Sequence, residues 1–183
     1  MKLEPSITLR SPDKRQTITD ALAKPRAIAQ DLYWAMKTAH WNIRGMSFDS
    51  LHPRFDDLAN LFAEAADTLA ERSRILGALV AGNAQSVVAL SGLPPFPEDV
   101  TDDVKLLSET AVRLAAFRWY AVAARAVAAK LDDQQTFDEI TKILDDVEKK
   151  GWFVLAHLAP AEAEAAVATA AKLVGKGEAA AAG

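Results

Sequence analysis

Four stretches of this chain place apolar residues three or four positions apart, the repeat of an α-helix that buries one face. The clearest passes through Phe137, Ile140, Leu144, Val147, Gly151, Val154 and Leu158. A second follows Leu107, Ala111, Leu114, Phe117, Ala121, Ala124 and Ala128. A third joins Leu51, Phe55, Leu58 and Phe62 at that spacing and goes on to Leu69 and Leu76, with only the small Ala65 and Ala66 between Phe62 and Leu69, and a fourth joins Ile28, Leu32, Ala35 and Ala39. No segment alternates as a half-buried strand would. The chain is therefore expected to be all-α, with each amphipathic face packed on another.

The breaks set the topology. Asn42, Arg44 and Gly45 close the first long helix, with Gly45 at the position past the helix end where a left-handed residue is favoured. Ser47 caps the second helix, or Ser50 does so if Pro53 forces a later start. That helix is expected to stop between Gly77 and Gly82. Ala84 to Leu90 suits one short helix, and Ser91 to Pro97 is a loop by composition. Thr101, followed by two aspartates, starts the third long helix, since acids favour a helix N-terminus. Asp132, Asp133 and two glutamines separate the third from the fourth, which Pro160 ends. Pro25 either sits in the first turn of the first helix or kinks it. The reading is a four-helix bundle with a short helix in the crossover between helices 2 and 3. Residues 1–15 read as a flexible N-terminal tail, 16–160 as the bundle and 161–183 as an Ala-rich C-terminal extension.

Composition removes several function classes. The absence of cysteine excludes disulfide frameworks and thiolate metal sites. A net charge of -4 is not that of a strongly basic nucleic-acid binder. No uncharged apolar run is long enough to span a bilayer, and Met1 to Arg15 lacks the apolar core of a signal peptide. A cytoplasmic protein is expected.

The residues that carry chemistry gather around one helical hairpin. His40 lies before the turn and His52 after it, each about one helical turn from the break, so they can face each other. Asp56 follows His52 by four positions on the same face, and Asp67 and Glu71 repeat that spacing further along. At ~100° per residue, His52, Asp56, Asp67 and Glu71 fall within an arc of roughly 100°. Asp56 and Asp67 are nonetheless ~16 Å apart along the axis, whereas a transition-metal bond is about 2 Å long. One helix cannot bring both pairs to one ion. A second copy, antiparallel across a two-fold axis, can. The positions of His52 and Glu71 add to the same total as those of Asp56 and Asp67, so one axis near Leu61 and Phe62 joins both pairs. A two-fold interface is isologous and creates two equivalent sites. Each would hold His40, His52 and Asp56 from one chain and Asp67 and Glu71 from the other. Two imidazoles and three carboxylates suit Fe(II), Mn(II) or Zn(II). The Glu-x-x-His pairs of bundles that hold two irons inside one subunit are missing.

The run His40-Trp41-Asn42-Ile43-Arg44-Gly45, with Phe48, Leu51-His52, Asp56, Asp67, Ala70-Glu71-Arg72 and Leu76-Gly77, closely resembles the Dps family, the miniferritins. The resemblance continues through Leu93 to Pro97 and from Trp152-Phe153 to His157-Leu158, covering roughly residues 16–158. It implies a ferritin-like bundle and a dodecameric shell of tetrahedral symmetry. It also implies oxidation of Fe(II), preferably by hydrogen peroxide, at sites shared between subunits, with Fe(III) stored as mineral and DNA protected. The family's ferroxidase ligands fall on His40, His52, Asp56, Asp67 and Glu71. Trp41 falls on a tryptophan beside the site, where it relays or quenches radicals or packs in the core. Lys37 falls on a lysine found near the site in some relatives, or simply faces solvent. Asp133 and Asp138 fall in a region that lines acidic iron pores, and His157 reads as structural. Some relatives bind DNA through a lysine-rich tail. Here Lys2, Arg10, Lys14 and Arg15 stand against Glu4 and Asp13 at the N-terminus, and Lys172 and Lys176 against Glu162, Glu164 and Glu178 at the C-terminus. Nucleoid DNA binding by the N-terminal tail is the alternative function.

Overall fold

The computed structural model describes residues 3–181, with side chains through residue 175; Lys2 and the side chains of Lys176 and Glu178, counted among the tail charges, lie outside the described residues. The helices are α1 (Pro12–Asn42), α2 (Phe48–Ile75), α3 (Ala84–Ser91), α4 (Asp103–Lys130), α5 (Gln134–Leu155) and α6 (Pro160–Ala181). Among the described residues there is no strand. Helix α1 packs along α2 and α4 along α5, and the two hairpins meet through α1 with α4 and α2 with α5. The predicted apolar faces form the shared core: Ile28 and Leu32 of α1, Phe55, Leu58 and Phe62 of α2, Phe117 of α4, and Ile140 and Leu144 of α5 are all buried. Phe62 and Phe117 meet edge to face, with ring centroids 5.2 Å apart. Each such side chain contributes about 1.5–3 kcal/mol by leaving water.

The helix starts follow the local chemistry closely. Ser11, Asn83, Asp102 and Asp133 each accept a hydrogen bond from a backbone N–H three residues on. Each cap is worth about 1 kcal/mol. The cap of α4 is thus Asp102, one residue after Thr101. Ser47 precedes α2 but its hydroxyl donates instead to Asp103 Oδ2 on α4, at 2.5 Å, which ties the α1–α2 turn to the second hairpin. Pro53 lies inside α2 and does not delay its start. Pro25 is likewise inside α1, buried and well past the first turn. It has no N–H to give the Ala21 carbonyl.

Pro160 does not simply terminate. Helix α5 ends at Leu155, and Pro160 opens α6, because a first-turn proline loses no helical hydrogen bond. Glu162 reaches back to accept from the Ala159 N–H at 2.9 Å. The Ala-rich extension is therefore helical through Ala181, and it packs on α4 through small residues such as Ala166 and Ala170.

The segment before α1 is tied to the body. Glu4 N–H donates to the Gly77 carbonyl at 2.9 Å, and Ser6 Oγ to the Ile75 carbonyl at 2.7 Å. Arg15, buried, donates to the carbonyls of Glu4 and Leu76. Arg10 donates to the carbonyls of Leu131 and Asp132 at the end of α4. This strap joins the end of α2 to the α4–α5 turn. Beneath it, Arg72 Nη2 donates to Asp133 Oδ1 at 2.8 Å and Arg72 Nε to Thr136 Oγ1 at 2.7 Å.

Candidate metal centre

The α1–α2 hairpin brings His40 and His52 face to face, with ring centroids 3.7 Å apart and planes 25° from parallel. Each ring is fixed by the other residue's backbone. His40 Nδ1 bonds the His52 carbonyl at 2.7 Å, and His52 Nδ1 bonds the His40 carbonyl at 2.8 Å. A carbonyl oxygen only accepts, so each Nδ1 must donate. In the neutral rings the lone pair is then on Nε2, available to a metal ion; this is how a backbone partner sets the coordinating nitrogen. The helix end makes the arrangement possible. The last carbonyls of a helix have no partner within it, and the Arg44 N–H, which would otherwise reach His40, donates to the Thr101 carbonyl at 3.2 Å. Phe48 stacks on the outer side of His52 at 4.8 Å. Periodicity gave no sign of that role.

Asp56 stands one turn beyond His52. Lys37 Nζ donates to its Oδ1 at 2.6 Å. That hydrogen bond holds the Asp56 carboxyl below its ordinary range against an opposing push from desolvation, and the charges of Lys37, His40 and His52 add to it. Lys37 is thus a partner of Asp56 rather than a solvent-facing lysine. The same ammonium lies 5.8 Å from the centre of the Trp41 ring. Trp41 is 61% exposed in the single chain, so it is not a core residue there.

Asp67 and Glu71 are exposed on α2, in line with Asp56, Asn60 and Ala63. Within one chain they do not join the histidines: among the described residues, no three His, Asp or Glu side chains converge as a metal site would require. The single chain therefore presents His40, His52 and Asp56 at one end of an exposed stripe and Asp67 and Glu71 at the other. One other reading changes. Asp133 is fully buried under Arg72 and Thr136, so it cannot line a pore. Burial pushes its carboxyl up, but the hydrogen bonds from Thr136 and Arg72 outweigh that and leave it below the usual carboxylate range. Asp138 is exposed and accepts from Gln134 at 2.7 Å. His157 bonds the Phe153 carbonyl at 2.7 Å within its own helix end, apart from the other two histidines.

Comparison with known proteins places the fold in a family. Residues 19–162 match the family model of the ferritin-like domain. The DNA protection during starvation protein of Brevibacillus brevis is 31% identical over 137 residues, spanning 69% of this chain and 85% of that protein. The chain belongs to the Dps family of ferritin-like proteins. A second Dps relative, the DNA protection during starvation protein of Agrobacterium fabrum, is 28% identical over 153 residues, 79% of this chain and 89% of that one. The crystal structure of an archaeal Dps homologue from Halobacterium salinarum superposes with a TM-score of 0.82 at 26% identity, covering 87% of this chain and 89% of the other. The ferritin-like match ends at Glu162, so most of α6 lies beyond the matched residues. Among the described residues no helix is long and apolar enough to cross a membrane.

Proposed function

We propose that this Dps-family protein stores iron and oxidises Fe(II) at sites shared between two subunits, and that doing so protects DNA. The observation that carries the reading is the reciprocal pairing of His40 and His52. It fixes two imidazoles with coordinating nitrogens beside an ionised Asp56, a half-site made before any metal arrives. The two-fold arrangement expected from the sequence supplies Asp67 and Glu71 from a second copy. His40, His52, Asp56, Asp67 and Glu71 then bind Fe(II) as substrate, with Mn(II) and Zn(II) as competitors of similar ligand preference. Lys37 occupies the Asp56 carboxylate and yields it as a divalent ion enters.

The oxidant is hydrogen peroxide. Two Fe(II) each give one electron, the O–O bond breaks, and the products are two Fe(III) and two hydroxide ions. The Fe(III) hydrolyses to mineral inside a dodecameric shell. Because peroxide takes both electrons together, no hydroxyl radical is released to attack DNA. Trp41, exposed beside Lys37, stands where a stray one-electron oxidant would meet it first. The named relatives, DNA protection during starvation proteins, support the protective role. Direct DNA binding by the N-terminal tail is disfavoured, since Arg10 and Arg15 are engaged with backbone carbonyls of the body.

The test loads purified protein anaerobically with Fe(II), adds stoichiometric peroxide, and reads ferric absorbance on a sizing column. Fast oxidation with iron co-eluting at dodecamer size is expected. Slow oxidation at the protein-free rate, with iron precipitating apart from the protein, would overturn the proposal.

A further inference from the structure

Between α1 and the segment that follows α2 lies a cavity of about 280 Å3 whose wall includes Gln16, Thr19, Asp20, Ala23, Arg26 and Ser73. Arg26 is the unusual member. It is 3% exposed, yet its one hydrogen bond among the described residues is to a neutral group, Nη1 to Gln30 Oε1 at 2.8 Å. No carboxylate pairs with it among the described residues. Burial of a charge is costly without a counter-charge, and a guanidinium carries five N–H donors. The only fully buried side-chain nitrogen or oxygen lacking a partner among the described residues is Arg15 Nε. The free N–H groups of Arg26 therefore reach open volume, and the cavity is the open volume that Arg26 lines. Desolvation lowers the Arg26 pKa from its ordinary value, in keeping with an uncompensated cation. The Thr19 and Ser73 hydroxyls already donate to the carbonyls of Gln16 and Leu69, so the guanidinium supplies the donors here.

We propose that the Arg26 cavity binds an oxyanion, a carboxylate or phosphate group that completes the hydrogen bonding and charge of the guanidinium. Arginine presents a planar fork suited to two parallel bonds with such a group. Asp20, exposed at the cavity and accepting from Gln16 Nε2 at 2.7 Å, carries the same sign as the ligand. It disfavours an extended polyanion and leaves room for one small group. That group comes either as a free anion or as a side-chain carboxylate of a neighbouring copy.

The experiment uses full-length assembled protein, with inorganic phosphate titrated at constant ionic strength and followed by calorimetry and thermal unfolding. Two variants are compared. Arg26→Met keeps the length and removes the charge. Ala23→Glu, one turn earlier on α1, supplies a carboxylate from within the chain. If the anion is free, phosphate binds the wild type and raises its Tm, and both variants weaken binding at least tenfold. In phosphate-free buffer both variants then also melt higher than the wild type, because neither holds an unpaired buried charge. If a neighbour supplies the carboxylate, phosphate has no effect, and both variants shift the particle to smaller species on a sizing column. Should Arg26→Met not fold, Ala23→Glu alone decides between the arms. Phosphate, Tm and particle size all indifferent to Ala23→Glu and to Arg26→Met would overturn the proposal.

Discussion

Replacing Asp133 by Asn removes one charge from the interior while keeping the shape and the helix cap, since Asn caps as well as Asp. Asp133 is fully buried, and the Arg72 side chain is 10% exposed. The variant leaves the Arg72 guanidinium with Thr136 Oγ1 and a neutral amide, and takes the counter-charge from Arg10, whose Nη2 lies 3.5 Å from Asp133 Oδ1. Removing one partner of a buried ion pair costs about 3–5 kcal/mol. The retained amide and hydroxyl put Asp133→Asn at the lower end, about 3 kcal/mol, a large part of a typical stability of about 5–15 kcal/mol. Equilibrium urea unfolding measures the gap, at fixed protein concentration because assembly contributes to apparent stability. The pH dependence separates this cause from a packing defect. The folded-state pKa of Asp133 is lowered, so its contribution is complete above the ordinary carboxylate pKa of about 3.9 and is lost as pH falls through the folded value. Wild type and variant should differ fully at neutral pH and converge in acid. A gap below about 1 kcal/mol, or one constant with pH, would refute the argument that the ion pair fastens α2 to the α4–α5 turn.

Other outcomes follow from single residues. Lys37→Met should let the Asp56 carboxyl pKa rise toward its ordinary value, read by carboxyl NMR titration; no change would mean that Lys37 is not the main cause of its depression. Gly77→Ala should destabilise by about 1–3 kcal/mol in urea unfolding, because Gly77 has φ of 93° and a Cβ there would run into the Glu4 carbonyl oxygen; an unchanged midpoint would show that the strap is not held there. Phe48→Ala should weaken Zn(II) binding measured by calorimetry while leaving the folded helix content intact, through lost support of the His52 ring; unchanged affinity would make the stacking incidental.

The sequence was most informative where contacts are local. The three-four spacing located α1, α2, α4 and α5, and the hairpin motif placed His40 opposite His52, because residues on either side of a short turn must meet. Pairings distant in sequence were not legible. Nothing near Asp133 signals that Arg72, on another helix, will bury it; an acid at a helix start looks the same whether it faces solvent or a guanidinium. The strap was hidden for a like reason, since its bonds run from polar side chains and backbone to carbonyls far along the chain. Pro160 is ambiguous by nature: the ring that ends one helix suits the first turn of the next. Lys37 became a partner of Asp56 only through the packing of α1 on α2.

The most direct test of the central claim, a site divided between two subunits, is a mixed particle. His52→Ala and Asp67→Ala each damage every site of a uniform shell. Dissociated, mixed in equal amounts and reassembled, they form mixed two-fold pairs in which one site has lost both residues and the other is intact. With random pairing, about one quarter of all sites should be whole, and peroxide-dependent Fe(II) oxidation should recover to about one quarter of the wild-type rate. Mixed particles as inactive as either parent would contradict the shared site and place the five residues in some other arrangement.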